Sequence, residues 1–124
     1  MRPTCKIPTG RRYPTNFWGP QLWRSMHLAS FQYIANDKNR AAWRSFLQFW
    51  VPSALPCAKC RAHYLRRLPK FNFPVILRNR ASLVLFLHGL HNAINADVAR
   101  KLGKPYRALP FAAFCNMYKR HLKK

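Results

Sequence analysis

Apolar and aromatic residues recur at Leu22, Trp23, Met26, His27, Ser30, Tyr33 and Ile34, the spacing of one buried stripe on a helix. The pattern predicts a helix beginning around Trp18-Gly19-Pro20, with Pro20 at the first helical position, where its missing N–H costs nothing. Asn36-Asp37-Lys38-Asn39 reads as a turn with cap residues. A second stripe of Trp43, Phe46, Leu47, Trp50 and Val51 faces the core, and Pro52 and Pro56 then break it. A short third helix follows from about Cys57 to Leu68, very basic on its outer side, and Pro69 to Pro74 reads as a loop. A long helix is predicted from about Asn79 to Leu102, closed by Gly103 as its C-terminal cap. Pro105 and Pro110 set off a last short helix through Phe111, Phe114, Met117 and Tyr118. No segment alternates with a strand's period of two and no internal repeat is visible, so the expected fold is all-α, a bundle of about five helices.

The chain has 124 residues, enough for one core but not two. Residues 1–15, rich in Pro, Arg and Thr, read as a basic flexible arm, and residues 16–124 as the domain. Charge changes the picture more than length does. Lys and Arg number 23 against 2 acids, Asp37 and Asp97, for a formal net charge of +21. With no neighbouring carboxylates, a two-carboxylate glycosidase and a carboxylate-rich metal site are excluded. Such a charge attracts polyanions, so non-specific nucleic-acid contact through the basic surface is one expectation; a bias of host or compartment explains the charge equally well. The longest apolar run, Leu83 to Leu87, ends at His88, far short of the roughly 18 residues of a membrane span. Met1-Arg2-Pro3-Thr4-Cys5-Lys6 is basic but has no apolar stretch behind it and does not read as a secretory signal.

The chain has 4 cysteines, too few for a disulfide scaffold in a domain so apolar. Cys57 and Cys60 sit together in Pro56-Cys57-Ala58-Lys59-Cys60, at a helix start, where they share a face. The positive end of the helix, with Lys59, Arg61 and Arg66, favours a thiolate and therefore thiol–disulfide exchange. The same pair also reads as half of a zinc site or as a chance pair, and a lone CxxC does not separate these. On the long helix His91, Asn92 and Asn95 cluster with His88 one turn earlier; buried, they need partners. His27 lies four residues after Trp23, an aromatic and a polar ring on one face that suit a flat cofactor or ordinary core packing alike.

Taken in order, Trp18-Gly19-Pro20-x-x-Trp23-x-x-x-His27, Pro56-Cys57-x-x-Cys60-x-x-His63-Tyr64, His91-Asn92-x-Ile94-Asn95 and Leu102-Gly103-Lys104-Pro105 resemble the Erv/ALR sulfhydryl oxidase family over residues 17–106. Arg80 followed by Leu83 also resembles the family's approach to its long FAD-binding helix. The resemblance implies a four-helix bundle with a short fifth helix that cradles FAD, and a thiol oxidase that makes disulfides in protein dithiols. It implies that Gly19, Trp23 and His27 contact the cofactor from the first helix and His91, Asn92 and Asn95 from the fourth. Lys101 and Lys104 would lie near its phosphates or adenosine end, with His63 and Tyr64 flanking it. In the implied mechanism Cys57 takes the substrate thiol and Cys60 faces the flavin, with molecular oxygen reduced to hydrogen peroxide. A protein dithiol or small thiol carrier protein would be the partner, and a homodimer through the first two helices the assembly.

The departures are few. About four extra residues, near Ala96 to Ala99, stand before Leu102-Gly103-Lys104-Pro105, one helical turn that nearly preserves the face but shifts Lys101 and Lys104 along the axis. Phe86 replaces an expected Trp and Ile94 an expected Val, and no second, shuttle CxxC exists. Cys5 and Cys115 read as non-catalytic. The short, single-CxxC form is similar to those of large DNA viruses, which would place it in host cytoplasm or virion; otherwise the family implies the mitochondrial intermembrane space. The rival reading is a zinc-containing basic nucleic-acid-binding module, with Cys57, Cys60, His63 and His88 or His91 as ligands. It leaves Trp23 and His27 without a role and needs an unusual Cys60-to-His63 spacing.

Overall fold

The computed structural model describes residues 6–8 and 12–123, and every regular element among them is helical. Of the expected arm, only residues 6–8 and 12–15 are described, and Cys5 lies outside the described residues. Helix α1 runs Thr15–Phe31, so it begins before Pro20 rather than at it. Pro20 sits inside the helix and removes the bond to Asn16, but only a single turn lies ahead of it, so little ladder is lost. The loop after α1 is tied down by Tyr33, whose hydroxyl donates to Leu77 O at 2.7 Å while Arg80 Nε donates to Tyr33 O at 2.9 Å.

Helix α2, Asp37–Ser45, starts as its cap signal requires, with the Asn39 N–H donating to Asn36 Oδ1 at 2.8 Å. A π turn over Phe46–Trp50 leads directly into α3, Val51–Ala54. Pro52 explains the turn: it has no N–H to continue the regular ladder, and the Val51 N–H instead reaches back to Phe46 O. The extra residue rotates the stripe. Leu47 and Val51 are buried as expected, but Trp50 turns outward and is 47% exposed, contrary to the periodic reading.

Helix α4 spans Ala58–Arg67 and is followed by a 3₁₀ turn, Leu68–Lys70. Part of the expected loop is helical too, as α5, Phe73–Ile76, with Asn72 accepting from the Val75 N–H. Pro69 and Pro74 each stand in the first turn of their element, where proline is compatible with helix. Helix α6, Arg80–Lys101, is capped by Asn79, which accepts from the Ser82 N–H at 2.8 Å. Its end is a Schellman arrangement: Gly103 has φ 65°, its N–H donates to Arg100 O and the Lys104 N–H to Ala99 O. Helix α7 covers Phe111–Lys119.

Helix α1, the bent rod 37–54, α4 and α6 are the four principal rods, α7 is the short fifth, and α5 is an added turn. Leu47, Leu83 and Leu87 are fully buried at the centre, each contributing about 1.5–3 kcal/mol of apolar burial. One core group gathers Met26, Leu47, Leu83 and Leu87; a second gathers Val51, Leu55, Tyr64 and Leu90. Leu22, Trp23, Phe46 and Phe86 pack against both and join them. Among the described residues no helix is long and apolar enough to cross a membrane.

Candidate active site

The start of α4 carries the chemistry. Cys57 and Cys60 form a disulfide with their Cα atoms 5.2 Å apart. Cys57 is the N-cap, in extended backbone, and its Sγ accepts from the Cys60 N–H at 3.2 Å. The Cys57 N–H donates to Leu55 O at 2.8 Å and the Arg61 guanidinium bonds the same carbonyl, fixing the entry to the helix. Both cysteines are half-buried, and Cys60 packs against the Val51, Leu55, Tyr64, Leu90 group together with Trp18 and Ile94. A reduced Cys57 in this position keeps a backbone N–H and the positive end of α4 beside its sulfur, both of which stabilise a thiolate.

A stack of rings stands between α1 and α6. Trp23 and His91 lie face to face, centroids 4.0 Å apart and 5° from parallel, leaving no room for a third ring between them. His27 stacks beside both, and its Nε2 is 3.1 Å from His91 Nδ1. Helix α7 closes over His27 with Phe114 at 4.7 Å and Tyr118 at 5.9 Å, both edge-on. Burial, reinforced by His91 and His88, pushes His27 down to about 4. Burial and then His88 push His91 to about 4 as well, so both rings are neutral at pH 7. His27 Nδ1 and Trp18 Nε1 are buried and have no hydrogen-bond partner among the described residues, a cost that a bound polar edge would remove.

The other expected site residues divide. Asn92 pins the segment after α6: its Oδ1 accepts from Tyr106 Oη at 2.6 Å and the Leu109 N–H at 3.3 Å, and its Nδ2 faces His88 and Leu109 O. His63 meets Lys101 across from α6 and Arg66 on its own helix. Gly19 is buried in α1, whereas Asn95 and Lys104 are exposed. Tyr64 lies in the core, its hydroxyl donating to Leu47 O and its phenol held protonated by burial. Arg67 pairs with Asp97, which also meets Arg100, tying α4 to α6.

Sequence reasoning overlooked four contributors. Trp18 opens the first motif, and its buried indole N–H is an unsatisfied donor among the described residues. Phe114 and Tyr118, four apart on one helical face, carry a signal but read only as part of the last short helix. Tyr106, in an exposed loop, carried none. The zinc reading has no ligand set: among the described residues no three His, Cys, Asp or Glu come together to hold a metal. Cys115 is half-buried and has no disulfide partner among the described residues.

Comparison with known proteins agrees with this geometry. The Erv1 / Alr family matches residues 20–118, which takes in the ring stack, the disulfide and most of α7. A protein of Acanthamoeba polyphaga mimivirus, named Probable FAD-linked sulfhydryl oxidase, is 27% identical over 88 residues, 68% of this chain and 61% of that protein. The chain therefore matches about 61% of the length of that curated relative. The disulfide at the start of α4, the stacked rings between α1 and α6, and a family match over most of the length together establish that this chain belongs to the Erv1 / Alr family.

Proposed function

We propose that this chain is an FAD-dependent thiol oxidase, which forms disulfides in protein dithiols through Cys57 and Cys60 and passes the electrons to oxygen, giving hydrogen peroxide. The observation that carries the reading is the Cys57–Cys60 disulfide capping α4, with Cys60 on the apolar group that also holds Trp18. The name of the mimivirus relative supports both cofactor and reaction, and its viral source supports host cytoplasm or virion as the location.

The residues fit FAD. The ring pair Trp23 and His91 offers an outer face for stacking, and His27 Nδ1 and Trp18 Nε1 are buried ring nitrogens in need of partners. Gly19, Trp23 and His27 from α1 and His91, Asn92 and Asn95 from α6 would hold it, with His63 and the Tyr64 ring from α4. Lys101 and Lys104 supply positive charge for its pyrophosphate. FAD, when bound, is the two-electron acceptor between the dithiol and oxygen.

The protein's own chemistry is disulfide exchange. A substrate thiolate attacks Cys57 Sγ; the Cys57–Cys60 bond breaks and Cys60 leaves as a thiolate. The second substrate thiol, losing its proton to solvent, attacks the substrate sulfur of the mixed disulfide and releases Cys57 as a thiolate. Two substrate thiols thus become one disulfide while Cys57 and Cys60 gain two electrons. The Cys60 N–H is positioned to hold the released Cys57 sulfur.

A homodimer is the proposed assembly. Leu22, Met26, Trp43 and Phe46 line an apolar groove of about 360 Å³ between α1 and α2, continued by exposed Phe49 and Trp50. A second copy presenting the same face would cover these rings.

The first test is an absorbance spectrum of purified protein with zinc assayed on the same sample. Oxidised-flavin bands that a dithiol bleaches without oxygen are expected. A colourless protein with stoichiometric zinc would overturn the reading.

A further inference from the structure

We propose that the solvent face of α4, running away from the disulfide, is a docking stripe that selects dithiol proteins with an acidic segment beside their cysteines. The inference rests on Cys57–Cys60 being the pair that reacts with substrate.

Helix α4 has two faces. Cys60, Tyr64 and Leu68 turn to the core. Lys59 and Arg66 are exposed on one face of α4, with Ala62 and His63 between, and exposed Lys70 ends the 3₁₀ turn that continues it. The stripe starts between the two cysteines, and at about 1.5 Å per residue along α4 and about 2 Å along the 3₁₀ turn it reaches about 18 Å from Lys59 to Lys70, the span of roughly five or six extended residues.

Among the described residues no carboxylate pairs with Lys59, Arg66 or Lys70. The chain has 2 acids; Asp97 is taken by Arg67 and Arg100, and Asp37 lies on α2 with Arg40. Lys59, Arg66 and Lys70 are therefore the cations that an incoming acidic segment meets.

A nucleic acid would meet the same charges. The register of the stripe favours a protein, because a ligand lying along it ends at the disulfide, and only a thiol partner gains from that placement. Complementary charge of this kind raises the encounter rate and falls with salt.

The experiment uses the flavin-loaded protein and three peptides with one dithiol, flanked by Glu, Gln or Lys, plus dithiothreitol as a small uncharged dithiol. At low salt, kcat/KM is expected to be about tenfold higher for the Glu peptide than for the Gln peptide, and lower again for the Lys peptide. The difference should reside in KM and shrink as salt rises to about 0.5 M. Lys70→Glu should reduce the preference about threefold and leave dithiothreitol oxidation unchanged. Equal kcat/KM for all three peptides, with dithiothreitol oxidised normally, overturns the stripe and leaves the oxidase reading standing. Failure to oxidise dithiothreitol overturns both. Duplex DNA binding that Lys70→Glu weakens, with no peptide preference, makes the stripe a nucleic-acid surface and also overturns the proposal.

Discussion

His27 Nε2 and His91 Nδ1 lie 3.1 Å apart although 64 residues separate them in the chain. One ring donates and the other accepts, an arrangement that two protonated imidazoles cannot make. Both are pushed from 6.5 to about 4, mainly by burial. The unfolded chain therefore binds protons that the folded chain refuses between pH 6.5 and 4. Stability from this pair is fully present above pH 6.5 and falls as pH drops toward 4, by on the order of 3 kcal/mol for the coupled pair once solvent screening is discounted. Urea unfolding measured across this range checks it. A flat profile that His27→Gln and His91→Gln leave unaltered would contradict it.

Cys57→Ser and Cys60→Ser should each reduce protein-dithiol oxidation at least about a hundredfold while flavin binding persists. The disulfide spans a separation of 3 residues and so constrains little chain. Its loss should cost about 2 kcal/mol or less by loop-closure reasoning. Oxygen uptake and thermal unfolding separate the two effects, and a Cys57→Ser protein that still oxidises its substrate would remove the proposed role.

Asn92 holds Tyr106 and Leu109, and through them the approach to α7. Asn92→Ala should cost about 1–2 kcal/mol and loosen Phe114 and Tyr118 over His27, visible as a weaker near-ultraviolet circular dichroism signal. Asn92→Asp keeps the oxygen that accepts from Tyr106 and Leu109 and should lose less. Equal losses from the two would mean that the Nδ2 contacts dominate.

Two glycines should respond with opposite signs. Gly89 is exposed within α6 and a Cβ there meets nothing within 4 Å, so Gly89→Ala should stabilise by about 0.5–1 kcal/mol. At Gly103 space is equally open, but φ is +65°, and Gly103→Ala should destabilise by about 1 kcal/mol through backbone strain. Midpoints of chemical unfolding test both; a destabilising Gly89→Ala would point to a packing role not seen here.

The Arg67–Asp97 pair should show a coupling of about 1 kcal/mol or less in a double-mutant cycle, because both side chains remain about a third exposed. It should weaken with added salt. A coupling indifferent to salt would place the pair in a drier setting than its exposure allows.

Much of the helical frame was legible because its signals are local. Asn36 and Asn79 cap the helices that follow them, and Gly103 ends α6 in the left-handed conformation that other residues avoid. The placement of Cys57 and Cys60 at a helix start was legible for the same reason. Where local rules competed, the reading slipped: Pro20 did not begin its helix, Pro69 and Pro74 began short ones, and Pro52 forced the π turn that turns Trp50 outward.

By itself, then, the sequence determined the helices, their caps and a redox-capable pair at the positive end of one of them, since each depends on residues within a turn or two of one another. Only the tertiary structure decided that His27 meets His91, that Phe114 and Tyr118 cover them, that Asn92 is committed to the Tyr106–Leu109 segment, and that Lys101 reaches His63. Those contacts join residues far apart in the chain. They follow from how α1, α4, α6 and α7 pack against shared side chains such as Leu22 and Trp23, and no spacing rule along one helix contains that information.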